Sequence, residues 1–438
     1  MILRPAPLAI YGARLADWRS REPGRTRRAP PARKTATKNR NEVLAMKEAK
    51  ILVSTTAEGM DRTIEVKGSE ALVRMVLGTL PEAENAMNAS IKLLEKAISA
   101  AGSKGNAPKE ERKEAAPASV ESDVVVIYDN AGIPSIMRRF RKKTNAELFE
   151  GGSDKTHPAF VIGGEEYDEI FIGVYEGCEI GGKIYSLPYR MPKTNVTMDE
   201  FAKMCFAKGE GWHMMTAQEW GLVANECAKA GVFPHGNTEG GHWHEDKEEK
   251  GVFPEGYDEK EDPDITLTGS GPATWTHNQK PDGVHDLCGN IWEMLPGVEL
   301  DYGAVKTCNG NDMATPEGWG KAMDTVKGKD GKLVKIGFDE GRNMNITTGQ
   351  VTGYGSETWE EIETAEAASV EELRELALWG GEKNARVWAD TEEPERCLYR
   401  GGNWFNGSDA GVFYASLNVP RSVVYTDLGG RVAYFKKH

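Results

Sequence analysis

The stretch Thr194 to Trp220, TNVTMDEFAKMCFAKGEGWHMMTAQEW, holds two helix starts of the same make: Thr197 with Glu200, and Thr216 with Glu219. In such a capping box the threonine hydroxyl accepts from the third backbone N–H of the helix and the glutamate reaches back to the cap residue. Two amides that a helix end would leave unpaired are thereby satisfied. Met198, Phe201, Ala202, Cys205 and Phe206 follow the first cap at helical spacing, and Trp220, Val223, Ala224 and Cys227 follow the second. Gly209 and Gly231 end the two runs. The spacing predicts two helices, each with one buried face.

Upstream, Val124 to Tyr128 reads as a strand, Asp129-Asn130-Ala131-Gly132 as a turn, and Ile170, Ile172 and Val174 alternate as another strand. Downstream lies a long Gly-, Trp- and Asp-rich stretch with little periodicity, the mark of a fold held by irregular loops. Residues 300–396, polar and then acidic with one helix near 369–379, read as an insertion, and the final strands fall in 398–437. Before this domain, Ile51-Leu52-Val53 and Thr63-Ile64-Glu65-Val66 suggest a hairpin. Residues 69–101 read as helix broken at Pro81, with Ala86, Ile91, Leu93, Leu94, Ala97 and Ile98 as an apolar stripe. That stripe suits self-association into a short bundle, or packing within its own small domain. Residues 46–101 are thus expected to be a small helical or mixed attachment region, and 102–122 have linker composition. The large domain spans 123–438.

The 438 residues are 39% hydrophobic and 28% charged, ordinary for a soluble globular chain. No apolar run reaches the roughly 18 residues of a membrane-spanning helix, and Met1-Ile2-Leu3-Arg4-Pro5 lacks the apolar core of a secretory signal. Residues 1–45 carry 11 Lys or Arg against 3 Asp or Glu, and the remainder 43 against 65. The basic leader has irregular Pro and Arg and no apolar period. It is expected to be a disordered tail, or to precede the true start at Met46. The acidic body argues against nucleic acid as a partner, because duplex affinity comes mainly from neutralising phosphates. Cys178, Cys205, Cys227, Cys288, Cys308 and Cys397 form no C-x-x-C pair, so reduced structural thiols are expected.

Four segments in order resemble the formylglycine-generating-enzyme-like domains, which have a C-type-lectin-like fold. They are Thr194 to Trp220, Phe233 to Asn237 (FPHGN), Asp282 to Met294 (DGVHDLCGNIWEM), and Arg400 to Trp404 (RGGNW) with Gly429 to Val432 (GGRV). Within that group the tail RGGNWFNGSDAGVFYASLNVPRSVVYTDLGGRVAY is similar to the variable region of diversity-generating-retroelement variable proteins. Phe405 to Gly430 contains no Lys, Glu, Gln, Met or Trp. Rewriting of template adenines, as the resemblance implies, leaves those five out when codons end in a pyrimidine.

The resemblance implies an α+β fold of the formylglycine-generating-enzyme type and a displayed variable surface. Its positions are Asn403, Phe405, Asp409, Ser416, Asn418, Val419, Val423, Val424, Tyr425 and Asp427. Trp404, Gly411, Phe413, Arg421, Gly429 and Arg431 match the unvarying frame, while Gly430 departs from the aromatic residue usual before that arginine. The period-2 pattern of 412–418 agrees: Phe413, Ala415 and Leu417 are expected inside, and Tyr414, Ser416 and Asn418 displayed. The alternative reading makes the valines core residues of a strand.

The same likeness implies a structural calcium held by Asp286 and Glu293, with carbonyls of Gly289 and Ile291; hard oxygen donors suit that ion. The alternative has Asp286 capping a turn and Glu293 paired with an arginine. The oxidising relatives use two cysteines after the RGG-x-W motif, and this chain has none after Cys397. A non-haem iron branch uses histidines, for which His235, His242, His244, His277 and His285 are candidates, although a solvated loop suits His242-Trp243-His244 better and the H-x-x-x-H partner is missing. The expectation is therefore a binding protein with no required cofactor, not an enzyme. Its partner would be a protein or glycan on a bacterial surface. It would sit at a virion tail among phage tail proteins, or on a bacterial cell, as a homo-oligomer through the N-terminal region and without membrane insertion. The other readings are a structural virion or cell-surface component, and a divergent metalloenzyme.

Overall fold

The computed structural model describes residues 48–57, 60–69, 123–379 and 381–437, the first two as backbone. The chain divides into two units, Met1–Ala116 and Pro117–His438. In the first, Glu48–Ala57 and Met60–Ser69 pair antiparallel, with Val53 opposite Ile64, which is the expected hairpin extended at both ends. The expected leader, the helix over 69–101 and the linker lie outside the described residues.

In the second unit the two capped helices form where the spacing places them. Helix α1 (Met198–Phe206) starts at Thr197, and α2 (Ala217–Ala230) starts at Thr216 and stops at Gly231, left-handed with φ 63°. Both capping boxes are complete. Phe201 and Cys205 of α1 and Trp220, Val223 and Cys227 of α2 are fully buried. The turn after Val124–Tyr128 closes on Asp129, whose Oδ1 accepts from the amides of Ala131 and Ile133.

Two sheets share the core. The smaller orders its strands 212–214, 432–434, 169–173, 134–141 and 124–128, so the last strand of the chain is inserted between earlier ones and ties the tail to the body. The larger sheet has 11 strands and contains β1 (Trp292–Asp301), β2 (Tyr354–Thr358), β3 (Arg386–Asp390), β4 (Arg396–Gly401) and β5 (Gly411–Val419), in the order β2-β3-β5-β4-β1. The unit is thus a mixed helix–strand fold, rich in sheet.

Residues 300–396 are not a stand-off insertion. They supply β2, β3 and the strands 304–307, 335–338 and 344–347 to the main sheet, with Val305, Ile336, Ile346 and Val387 buried in the same core as Trp220 and Phe413. Their polar, Gly-rich composition reflects turns between short strands. The helix expected near 369–379 is shorter, Glu371–Glu375. All six cysteines are free and buried.

Candidate functional site

The tail begins with Arg400, whose buried side chain is held by main-chain carbonyls. Its Nη1 donates to the carbonyl of Phe413 (3.0 Å) and its Nη2 to those of Leu376 and Ala377 (both 2.9 Å). Burial lowers its pKa to about 9. Trp220 Nε1 donates to the carbonyl of Val412 and Trp359 Nε1 to that of Phe413, so three side chains outside β5 hold its backbone. Gly401 and Gly402 follow with φ of 90° and 83°, and a Cβ on Gly402 would sit 2.9 Å from the Tyr414 ring. That is why the motif needs two glycines.

Two loops then rise from this frame. In the first, the Trp404 carbonyl accepts from the Gly240 amide and the Gly407 amide donates to the Thr238 carbonyl. Phe405 stands 54% exposed, edge-on to Trp404 with 5.5 Å between ring centres. In the second loop, after β5, the Arg421 carbonyl accepts from the Met198 amide and that of Tyr425 from the Asn195 amide, which fastens the loop to the start of α1. Val424 is 47% and Tyr425 50% exposed. Phe405, Val424 and Tyr425 are therefore displayed on backbone that is itself tied down.

The remaining expected positions divide. Asn403 is buried, which corrects its assignment to the displayed set: its Nδ2 donates to Asp427 Oδ2 (2.7 Å), its Oδ1 accepts from the Phe405 amide, and its own amide donates to Asn406 Oδ1. Asn403 and Asp427 clamp the two loops together, and burial raises the Asp427 pKa. Ser416 is also buried, as is Tyr414, against the expectation that this face of β5 is open. Strand β3 pairs parallel with β5 in the same sheet and brings Trp388 opposite Ser416. Trp388 Nε1 donates to the Tyr414 hydroxyl (3.2 Å), and the Trp292 ring lies 4.5 Å from that of Tyr414 on the other side. Asn418 is half-buried, accepting from Ser416 Oγ and donating to the Tyr354 hydroxyl (3.3 Å). Val419 and Val423 are half-buried against a buried cluster that includes Phe201, Met294 and Leu428. Asp409 is partly exposed and paired with Arg386 at 3.2 Å.

Phe413, Gly411, Gly429 and Arg431 are buried, and Arg421 pairs with Asp199 at 3.3 Å beneath the Trp319 ring. Gly430 has a physical reason: a Cβ there would meet Met214 Cε at 2.8 Å and Phe201 at 3.2 Å, so these two side chains fill the space an aromatic would need.

The calcium set does not fit. Glu293 gives both carboxylate oxygens to Arg431, Oε2 to Nε at 3.1 Å and Oε1 to Nη2 at 2.5 Å, and a guanidinium bound there repels a second cation. Asp286 accepts from the Gly269 amide at 2.7 Å, and burial raises its pKa to about 6. Glu176, fully buried nearby, is raised as well, first by burial and then by Asp286 and Glu293. The pairing of Glu293 with an arginine, the second sequence reading, is what forms. Among the described residues no group of three or more His, Cys, Asp or Glu is arranged to hold a metal ion. The histidines are spent separately. His235 stacks on Trp243 at 3.7 Å and bonds Glu249, His244 bonds Thr238, and His277 and His285 are buried with pKa lowered by desolvation to about 3 and 4.

Sequence reasoning missed Tyr354, Arg386 and Trp388, which border the tail, and Arg400 as its anchor. The alternation of Arg386, Trp388 and Asp390 with Val387 and Ala389 is a half-buried strand signal that identifies β3. Two cavities reach the frame of the tail, through Phe413 and through Arg421. One of about 670 Å³ includes Phe149, Arg374 and Trp379 in its lining, and one of about 330 Å³ includes Glu299, Trp319 and Arg421.

The domain is thus a mixed helix–sheet scaffold that carries two tethered, solvent-facing loops. No family profile matches the chain, and no curated protein does. Among solved structures it is similar to Treponema denticola variable protein 1, at 12% identity over 71% of this chain and 98% of that one, with a TM-score of 0.28. It is similar to PvdO from Pseudomonas aeruginosa, at 13% identity over 72% and 99%, TM-score 0.29. It is also similar to the Major Tropism Determinant I1 variant, at 11% identity over 73% of each chain, TM-score 0.27. Variable proteins, which the tail resembles in sequence, are therefore represented among its structural neighbours. Likeness at this level carries no argument about activity, which rests on the residues of this chain. No helix of the described residues is long and apolar enough to cross a membrane.

Proposed function

We propose that the domain is a recognition module of the C-type-lectin-like, formylglycine-generating-enzyme-like kind, whose tail loops bind a macromolecular partner and are open to diversification. The observation that carries this reading is the exposure of Phe405, Val424 and Tyr425 on loops tethered by backbone hydrogen bonds to 195–198 and 238–240. Rigid aromatic and apolar groups give contact area at low entropic cost, and such residues dominate binding energy at interfaces. The absence of Lys, Glu, Gln, Met and Trp over 405–430 supports diversification by adenine rewriting.

The partner in this reading is a protein or glycan on a bacterial surface, met from a virion tail or from another cell. No catalytic role is assigned, because His235, His242, His244, His277 and His285 each have separate partners or surroundings and the tail offers no nucleophilic thiol. The test is binding of the labelled full chain to a panel of bacterial cells, with Phe405→Ala/Tyr425→Ala as the comparison. Retention by some strains and its loss in the double variant supports the reading, and equal retention of both proteins contradicts it.

A further inference from the structure

The main sheet brings three strands to one face beside the tail. In register, Ser356 of β2, Trp388 of β3 and Ser416 of β5 lie in one cross-strand row, Tyr354 lies opposite Asp390, and Thr358 opposite Arg386. Because side chains alternate along a strand, Tyr354, Ser356 and Thr358 share this face with Arg386, Trp388, Tyr414, Ser416 and Asn418. Only the last three belong to the tail. Tyr354 is 57% exposed, slightly more than Phe405 or Tyr425, and its ring lies 5.7 Å from that of Trp388. Arg386 holds tail position Asp409, and Tyr354 accepts from tail position Asn418.

We infer that the binding surface is composite: Tyr354, Trp388 and Arg386, outside the tail, form a fixed half that contacts the partner in every variant, while the tail supplies the changing half. The inference rests on the tail reading proposed above. Variation at Ser416 and Asn418 reaches the partner through this fixed half, because Trp388 and Tyr354 lie over those positions. Variation at Asp409 releases or retains the Arg386 guanidinium.

The occupant this face fits is a folded protein. Tyr, Trp and Arg are the side chains that anchor protein interfaces, whereas a small ligand calls for a concave site. Tyr354, Trp388, Phe405 and Tyr425 line neither the cavity of about 670 Å³ nor that of about 330 Å³.

The test randomises Phe405, Asp409, Asn418, Val424 and Tyr425 in the full chain, and selects by ribosome display against egg-white lysozyme and, separately, against mannan. Tyr354→Ala and Tyr354→Phe are then placed in each selected binder. Affinities are measured on purified protein, with melting temperatures as the check on folding; should the alanine lower them, Tyr354→Gln takes its place. The lysozyme binders should lose about tenfold or more on truncation of this ring, as at an interface hot spot, and keep most of their affinity with phenylalanine. Unchanged lysozyme affinity across independent Tyr354→Ala binders overturns the composite face and leaves the tail reading intact. Dependence on Tyr354 confined to mannan binders overturns the protein partner. If the randomised tail yields no binder to either probe, the tail reading fails and the composite face falls with it.

Discussion

Phe405 and Tyr414 are both aromatic residues of the tail, yet they differ in what surrounds the ring. Phe405 touches Trp404 edge-on and otherwise faces solvent, whereas Tyr414 is enclosed by Trp292 and Trp388. Truncating Phe405, Val424 or Tyr425 to alanine should therefore move unfolding free energy by less than about 0.5 kcal/mol, read by urea melts. Phe413→Ala, deep in the core, should cost about 3–5 kcal/mol. Arg431→Met leaves Glu293 buried without its cation and should cost a similar amount, about 3–5 kcal/mol. Asn403→Ala should cost about 1–3 kcal/mol, because the buried Asp427 carboxyl loses its partner. A variant with Asn403→Ala as stable as the parent would return that residue to the displayed set. Its burial was not legible in the sequence, since the partner that draws it inward lies 24 residues away.

At the scale of elements, what was legible is what is locally determined. Thr197 and Thr216 name the helix starts because cap and amide lie within three residues of each other. Thr216→Ala should cost about 1 kcal/mol for the lost cap. Glu219→Ala should cost more, because the same carboxylate also accepts from His213 Nε2 (2.8 Å) and Asn311 Nδ2 (3.1 Å); thermal melts of the two variants check the order. The alternation along β5 correctly separates its faces. It gave no sign that Trp292 and Trp388 enclose Tyr414 on the polar face, because both tryptophans lie far from β5 in the sequence. For the same reason 300–396 read as an insertion while its strands belong to the sheet. Where the sequence showed an arginine and a glutamate far apart, Arg431 and Glu293, only the fold brings them together.

For the molecule as a whole, buried carboxylates give stability a defined pH profile. The Asp286 carboxyl titrates near 6 in the fold against an ordinary 3.8, and Glu176 is raised in the same sense. At these two carboxyls the folded state binds more protons than the unfolded chain, so their contribution to stability falls as pH rises from about 4 to about 6, while that of the buried, neutral His277 and His285 rises across the same window. Asp129 has the opposite sign. Burial opposes its ionisation, but hydrogen bonds from Tyr185, Ile133, Lys183 and Ala131 outweigh that and lower it to about 2. Its contribution is present above 3.8 and is lost as pH falls towards 2. Asp286→Asn, at a position with φ 61° that asparagine tolerates, should remove one falling contribution between pH 4 and 6, making the slope of stability against pH there more positive than in the parent, and leave the acid limb unchanged. An unaltered slope in urea midpoints across that window would exclude Asp286 as its source.

The division between a tied-down frame and a solvent-facing pair of loops is open to direct measurement by hydroxyl-radical footprinting of the intact chain. Phe405 and Tyr425 should be oxidised at rates close to those of the urea-unfolded protein, while Phe413, Tyr399 and Tyr414 are protected. Equal protection of all five rings would place the tail side chains inside the fold, and the recognition surface would not exist.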